Sequence, residues 1–182
     1  MGWSSKELAL AKDSLSIGYS TEGSFISVAT QTGIEDTPKT VEFGVGGLTD
    51  NGHINVASNG EVEVLSSGYY SIKQRFRTSR AGASGVSDIF FWVEASVDGG
   101  TVWNTFGNSV DIALDSSNET TVFFDLSNIH LDAGIKLRNR FARSSTGDNS
   151  GDLTSATPSA ALITAGAPTA PSAQITIYRI QN

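Results

Sequence analysis

Between Asn59 and Arg80 the sequence reads NGEVEVLSSGYYSIKQRFRTSR, two alternating runs separated by a Ser-Ser-Gly break. Alternation of this kind commits a chain to sheet, because its period of two matches a strand and not a helix. Asn59-Gly60 marks a tight turn. Glu61, Val62, Glu63, Val64 and Leu65 then alternate polar and apolar. After Ser66-Ser67-Gly68, Tyr70, Ile72, Gln74 and Phe76 take one face of a second strand. Tyr69, Ser71, Lys73, Arg75 and Arg77 take the other. That other face is cationic in a chain of net charge −7.

The rest of the chain continues in short apolar runs broken by turns. Strands are expected at Phe25–Ala29, Thr40–Val45, His53–Val56, Asp88–Val97, Thr101–Phe106, Ser109–Leu114, Thr120–Leu126, Ile135–Arg143 and Gln174–Ile180. The stretch Ser144–Ala173 is too long for an ordinary connection, and Ala160–Thr164 is expected to pair as a strand inside it. Gly18–Gly23 reads as a linker. About ten short strands in succession argue for an all-β fold, a two-sheet sandwich or jelly roll. A chain of 182 residues is one domain, or one domain with an arm.

The arm is residues 1–24, ahead of a domain at 25–182. Ser4 and Glu7 fit a capping box. Leu8, Leu10 and Leu15 could form the stripe of a helix, with Trp3 as an anchor. So short a helix is marginal in water and needs a surface, either its own domain or another protein. The alternative is an extended or frayed terminus. The N-terminal segment lacks the apolar core of a signal peptide, and no run is long enough for a membrane helix. The absence of cysteine excludes disulfides and thiolate metal sites. The acidic balance argues against non-specific nucleic-acid binding, which needs clustered Lys and Arg.

The order of features resembles the jelly roll of tumour necrosis factor and the complement globular heads over residues 25–182. The residues that carry this are Thr40-Val41-Glu42-Phe43, the Gly60–Val64 strand, Gly68-Tyr69-Tyr70-Ser71-Ile72, and the Leu131-Asp132-Ala133-Gly134 turn. The Pro171–Ile177 segment is similar to the closing strand of such domains in tailed-phage virion proteins. The resemblance implies a homotrimer. It also implies that the strands holding Lys73, Arg75, Arg77 and Lys136, Arg138, Arg140 are neighbours in an inner sheet facing the threefold axis. Both basic rows would then meet at the axis, with Tyr69 and Tyr178 in the trimer interface. Charges there need carboxylate partners, such as Glu42, Glu94 or Asp125, or a bound anion. The plain alternative is a solvated strand face.

Other constellations read as structural. Ser96-Val97-Asp98-Gly99-Gly100-Thr101-Val102-Trp103 matches the Asp-box pattern, a hairpin turn even where it recurs in enzymes. Asp148, Asn149 and Asp152 depart from calcium-loop spacing. His53 and His130 have no metal-spaced partner. No nucleophile elbow or phosphate loop is present, so no catalytic residue, metal or cofactor is expected. The expected function is a structural virion protein: a trimeric knob on the capsid, or part of a head or tail fibre, docked by its N-terminal arm. It would be made in the host cytoplasm, with itself and a capsid protein as partners. The alternative is a receptor-binding module for host-surface glycan or protein, using loops such as Gly82–Ser87 and Ser144–Ala156 and aromatics such as Trp103.

Overall fold

The computed structural model describes residues 18–44, 52–80, 86–114, 119–147 and 151–181. The arm residues Trp3, Leu8, Leu10 and Leu15 lie outside the described residues, as do residues 81–85 and the Asp148–Asn149 pair. In chain order the strands are β1 (Gly18–Ser27), β2 (Gln31–Thr32), β3 (Lys39–Thr40), β4 (Ile54–Val56), β5 (Glu61–Val64), β6 (Gly68–Ser79), β7 (Ser87–Ser96), β8 (Asn104–Leu114), β9 (Glu119–Leu131), β10 (Lys136–Gly147), β11 (Asp152–Leu153) and β12 (Ala173–Gln181). A short helix, α1 (Ala160–Thr164), lies between β11 and β12.

The strands form two antiparallel sheets. The first runs β1-β12-β6-β11-β2, with β9 on the other side of β6. The second runs β4-β5-β10-β7-β8, with β3 also on β10. The first and last strands pair over their whole length, from Gly18 opposite Gln181 to Ser27 opposite Ala173. This is the expected all-β jelly-roll sandwich.

The alternation in β6 does what its pattern dictates. Tyr70, Ile72 and Phe76 are buried between the sheets. Phe76 stacks on Phe91 of β7 at 5.1 Å with an interplanar angle of 2°, and Phe91 stacks in turn on Phe141 of β10 at 6.3 Å. Val41 and Phe43 are fully buried too, although β3 ends before them. The Val41 N–H still bonds the Asn139 carbonyl at 2.8 Å, so the segment borders β10 without continuing its ladder.

Several expectations are corrected. Residues 18–24 are not linker or arm; they belong to β1, recruited by pairing with β12. Thr101–Phe106 and Ser109–Leu114 are not two strands. The chain turns by Trp103 and then runs as one strand, β8, with an irregularity at Gly107 (φ 86°). Ala160–Thr164 is a helix and not a strand: Ser159 Oγ caps the Leu162 N–H at 3.4 Å. No ladder competes for this segment, and Leu162 and Ile163 stay exposed. Finally, β6 and β10 lie in different sheets. Their outward faces point to opposite sides of the sandwich, so the two basic rows cannot meet at one axis.

Candidate functional site

The outward face of the β1-β12-β6-β9 sheet collects large side chains that the core does not use. Register places Tyr69 beside His130 and Ile180, Lys73 beside Asp125 and Thr176, and Arg75 beside Phe123 and Gln174. Phe123 is 72% exposed, Tyr69 43% and Ile26 40%. Tyr69 meets His130 edge-on, with ring centroids 5.0 Å apart. The Lys73 ammonium lies 5.7 Å from the Tyr178 ring centroid. Ser71, Lys73, Ser127, Asn128 and Tyr178 border a depression of about 430 Å³. Its wall exists because β9 bulges at Asn128 (φ 55°), whose N–H bonds Ser71 Oγ at 3.3 Å.

Tyr69, Lys73, Arg75 and Tyr178 are thus together on one face. Arg77 leaves the row. It is buried, pairs with Glu119, and donates to the Thr154 and Ser155 carbonyls at 3.2 and 3.0 Å. Arg75 is half-buried, and its Nε has no hydrogen-bond partner.

The second row is paired within the chain, its three cations sharing two carboxylates. Lys136 lies 3.8 Å from Glu61. Arg138 Nε donates to Glu94 Oε2 at 2.6 Å, and Arg140 Nε lies 3.6 Å from the same oxygen. Arg140 also donates to Thr40 Oγ1 at 2.7 Å and to the Pro38 carbonyl at 2.9 Å. Burial holds the Arg140 guanidinium below its ordinary pKa, and nearby Arg138 adds to this while Glu94 opposes it. Glu94 was among the expected partners. Glu42 instead binds through its main chain to the Gln31 amide.

The Asp-box segment is the expected hairpin turn. Asp98 Oδ1 accepts the N–H groups of Thr101 and Val102 at 3.0 and 2.9 Å and pairs with the Ser96 hydroxyl at 2.7 Å. The Trp103 indole N–H closes the turn on the Gly100 carbonyl at 2.9 Å. The Val102 N–H, and after it the Ser96 hydroxyl, hold the Asp98 carboxyl below its usual value.

His53 pairs Nδ1 with Ser66 Oγ at 3.1 Å and Nε2 with Arg179 at 3.3 Å. Asp152 accepts the Gly33 N–H at 3.0 Å. Both act as structural groups. Sequence reasoning missed Phe123 and Ile26 as face residues. The signal was there in TTVFFDL: once Val122 faces inward, Phe123 must face out.

No protein family's sequence pattern and no curated protein matches this chain. Solved structures do. The Eiger TNF of S. frugiperda superposes with a TM-score of 0.54 at 13% identity, covering 89% of this chain and 94% of that one. Murine APRIL at pH 5.0 superposes with a TM-score of 0.55 at 10% identity, covering 90% of this chain and 100% of that one. At such low identity the likeness establishes a TNF-like jelly-roll fold.

Proposed function

We propose that this chain is a non-catalytic structural protein of a virus particle, a homotrimeric knob assembled through the outward face of the β1-β12-β6-β9 sheet. The observation that carries the assembly is that face itself, which leaves Ile26, Tyr69 and Phe123 exposed at separate points across its strands. Large apolar and aromatic side chains left exposed on a sheet face are what a self-association surface buries. Lys73 and Asp125, side by side in register between Tyr69 and Phe123, supply a charge pair within it. The virion setting rests on the resemblance of the Pro171–Ile177 segment and on an N-terminal arm suited to docking. Three weak arms on one trimer hold a symmetric lattice far more tightly than one arm does.

Two measurements test this. Mass photometry of the purified chain should give three times the chain mass, and Phe123→Asp should give monomer with an unchanged circular-dichroism spectrum. Deleting residues 1–17 should leave the trimer intact but abolish co-sedimentation with virus particles. A monomeric parent protein overturns the assembly, and a truncated protein that still co-sediments overturns the docking arm.

A further inference from the structure

The opposite sheet carries a groove that the trimer reading does not use. It is an open, shallow groove of about 610 Å³, lined by Phe90 and Trp92 of β7, Thr105, Asn108 and Ser109 of β8, and Arg143 of β10. Small-molecule sites commonly span roughly 300–1,000 Å³.

A break in register builds it. Val93 pairs with Phe106 and Phe91 with Val110, so Gly107, Asn108 and Ser109 together oppose Trp92 alone. Gly107 takes φ 86°, which glycine adopts without strain. The extra residues place Asn108 and Ser109 at the rim of the groove beside the indole. Phe90 and Trp92 face outward because Ile89, Phe91 and Val93 take the core. The indole is fixed in place: its N–H donates to Glu94 Oε1 at 3.1 Å, and Glu94 is itself held by Arg138 at 2.6 Å. Asp36 completes the wall, its N–H bonded to the Arg143 carbonyl at 2.8 Å.

The chemistry of the lining selects its ligand. Two aromatic side chains offer apolar area, and Thr105, Asn108 and Ser109 offer neutral donors and acceptors beside it. An aliphatic peptide side chain would leave those amide and hydroxyl groups without partners on desolvation. A nucleic acid needs clustered cations, and this lining sets one arginine, Arg143, beside one aspartate, Asp36, in a chain of net charge −7. A pyranose matches both parts, with a flat C–H face for the aromatics and hydroxyls around its edge for the polar rim. We propose that this groove is a saccharide-binding site, in which a pyranose stacks on Trp92 and Phe90 and its hydroxyls bond Thr105, Asn108 and Ser109. The site is complete within one chain and stands apart from the trimer reading.

The test uses the full chain and a panel of glucose, galactose, mannose, N-acetylglucosamine and N-acetylneuraminic acid, each as the monosaccharide and as a short oligosaccharide. Saturation-transfer NMR and tryptophan fluorescence read binding, with the oligomeric mass measured on the same samples. At least one sugar should bind saturably. Trp92→Ala should weaken it about tenfold or more, as truncating a central aromatic anchor does. Asn108→Ala, at an exposed position outside the core, should weaken it several-fold with no change in melting temperature. Leu162→Ala, on the exposed helix α1 outside the groove, should leave affinity unchanged. The proposal is overturned if no sugar saturates, if Asn108→Ala and Trp92→Ala both bind like the parent, or if binding is lost only with Lys73→Ala on the other sheet. A monomeric protein that binds sugar would retain this site while removing the trimer.

Discussion

The guanidinium of Arg138 lies 4.0 Å from the centre of the Trp103 ring. One contact therefore ties the hairpin after β7 to the start of the neighbouring strand β10. The same guanidinium grips Glu94, and Glu94 in turn positions Arg140 and the Trp92 indole. One carboxylate thus organises the outward surface of this sheet.

Replacing that carboxylate should be costly. Glu94 and its two arginines are each about four-fifths shielded from solvent, between the surface and fully buried regimes. Glu94→Gln should lower the unfolding free energy by about 1–3 kcal/mol. Urea denaturation at low and high salt measures it. A midpoint equal to that of the parent would mean that solvent already satisfies these arginines.

Asp98 gives the hairpin a pH dependence. Its folded carboxyl titrates below the ordinary 3.8 because turn N–H groups and the Ser96 hydroxyl stabilise the anion. A depressed carboxylate contributes stability that is complete above its unfolded pKa and is lost as pH falls through the folded value. Asp98→Asn should therefore melt lower than the parent at pH 6, and the difference should shrink on acidification below the ordinary carboxylate range. A difference that stays constant with pH would assign the effect to turn geometry alone.

Gly60 tests the turn that opens β5. It sits at φ 84°, and a Cβ there would stand 1.9 Å from the Val41 carbonyl oxygen. Gly60→Ala adds left-handed strain to a backbone clash and should cost at least about 2 kcal/mol. Denaturant unfolding checks this. The equivalent change at Gly134, which has positive φ but open space beside it, should cost less.

The alternation in β5, β6, β7, β10 and β12 was readable because one face of each strand is buried and the other is not. Alternation assigns a residue to a face, but it does not say which sheet the strand joins. The resemblance, not the alternation, puts the basic rows of β6 and β10 in one sheet, and the strand pairing sets them in two. Strand β11 has two residues, too few for any period, and depends on its pairing with Thr78 and Ser79. The helix at Ala160 carried a readable cap in Ser159, but AALIT is equally apolar as strand or helix. The groove was hidden for a different reason: it arises from a mismatch in length between β7 and β8, visible only once the two strands are paired.

Glu22 offers a stabilising change. It stands at the irregularity in β1, fully buried, and neither carboxylate oxygen has a hydrogen-bond partner. Burial raises the pKa of Tyr70; Arg179 opposes that shift and Glu22 adds to it. A desolvated carboxylate without partners is destabilising. Glu22→Met replaces the two unpartnered oxygens with apolar atoms and should raise stability by about 1–2 kcal/mol. Thermal melting decides it, and a lower melting temperature would show that the carboxyl group is required.

Strand β12 lies in the middle of its sheet, with β1 on one side and β6 on the other. Both neighbours are translated earlier, and neither can complete its ladder until β12 leaves the ribosome. Until then β1 and β6 expose unpaired edges able to capture strands from other nascent chains. The sheet therefore closes after translation of β12, in a late step that joins segments about 150 residues apart, as the Ser24–Thr176 contact shows. Crowded polysomes therefore bring such unpaired edges within reach of one another.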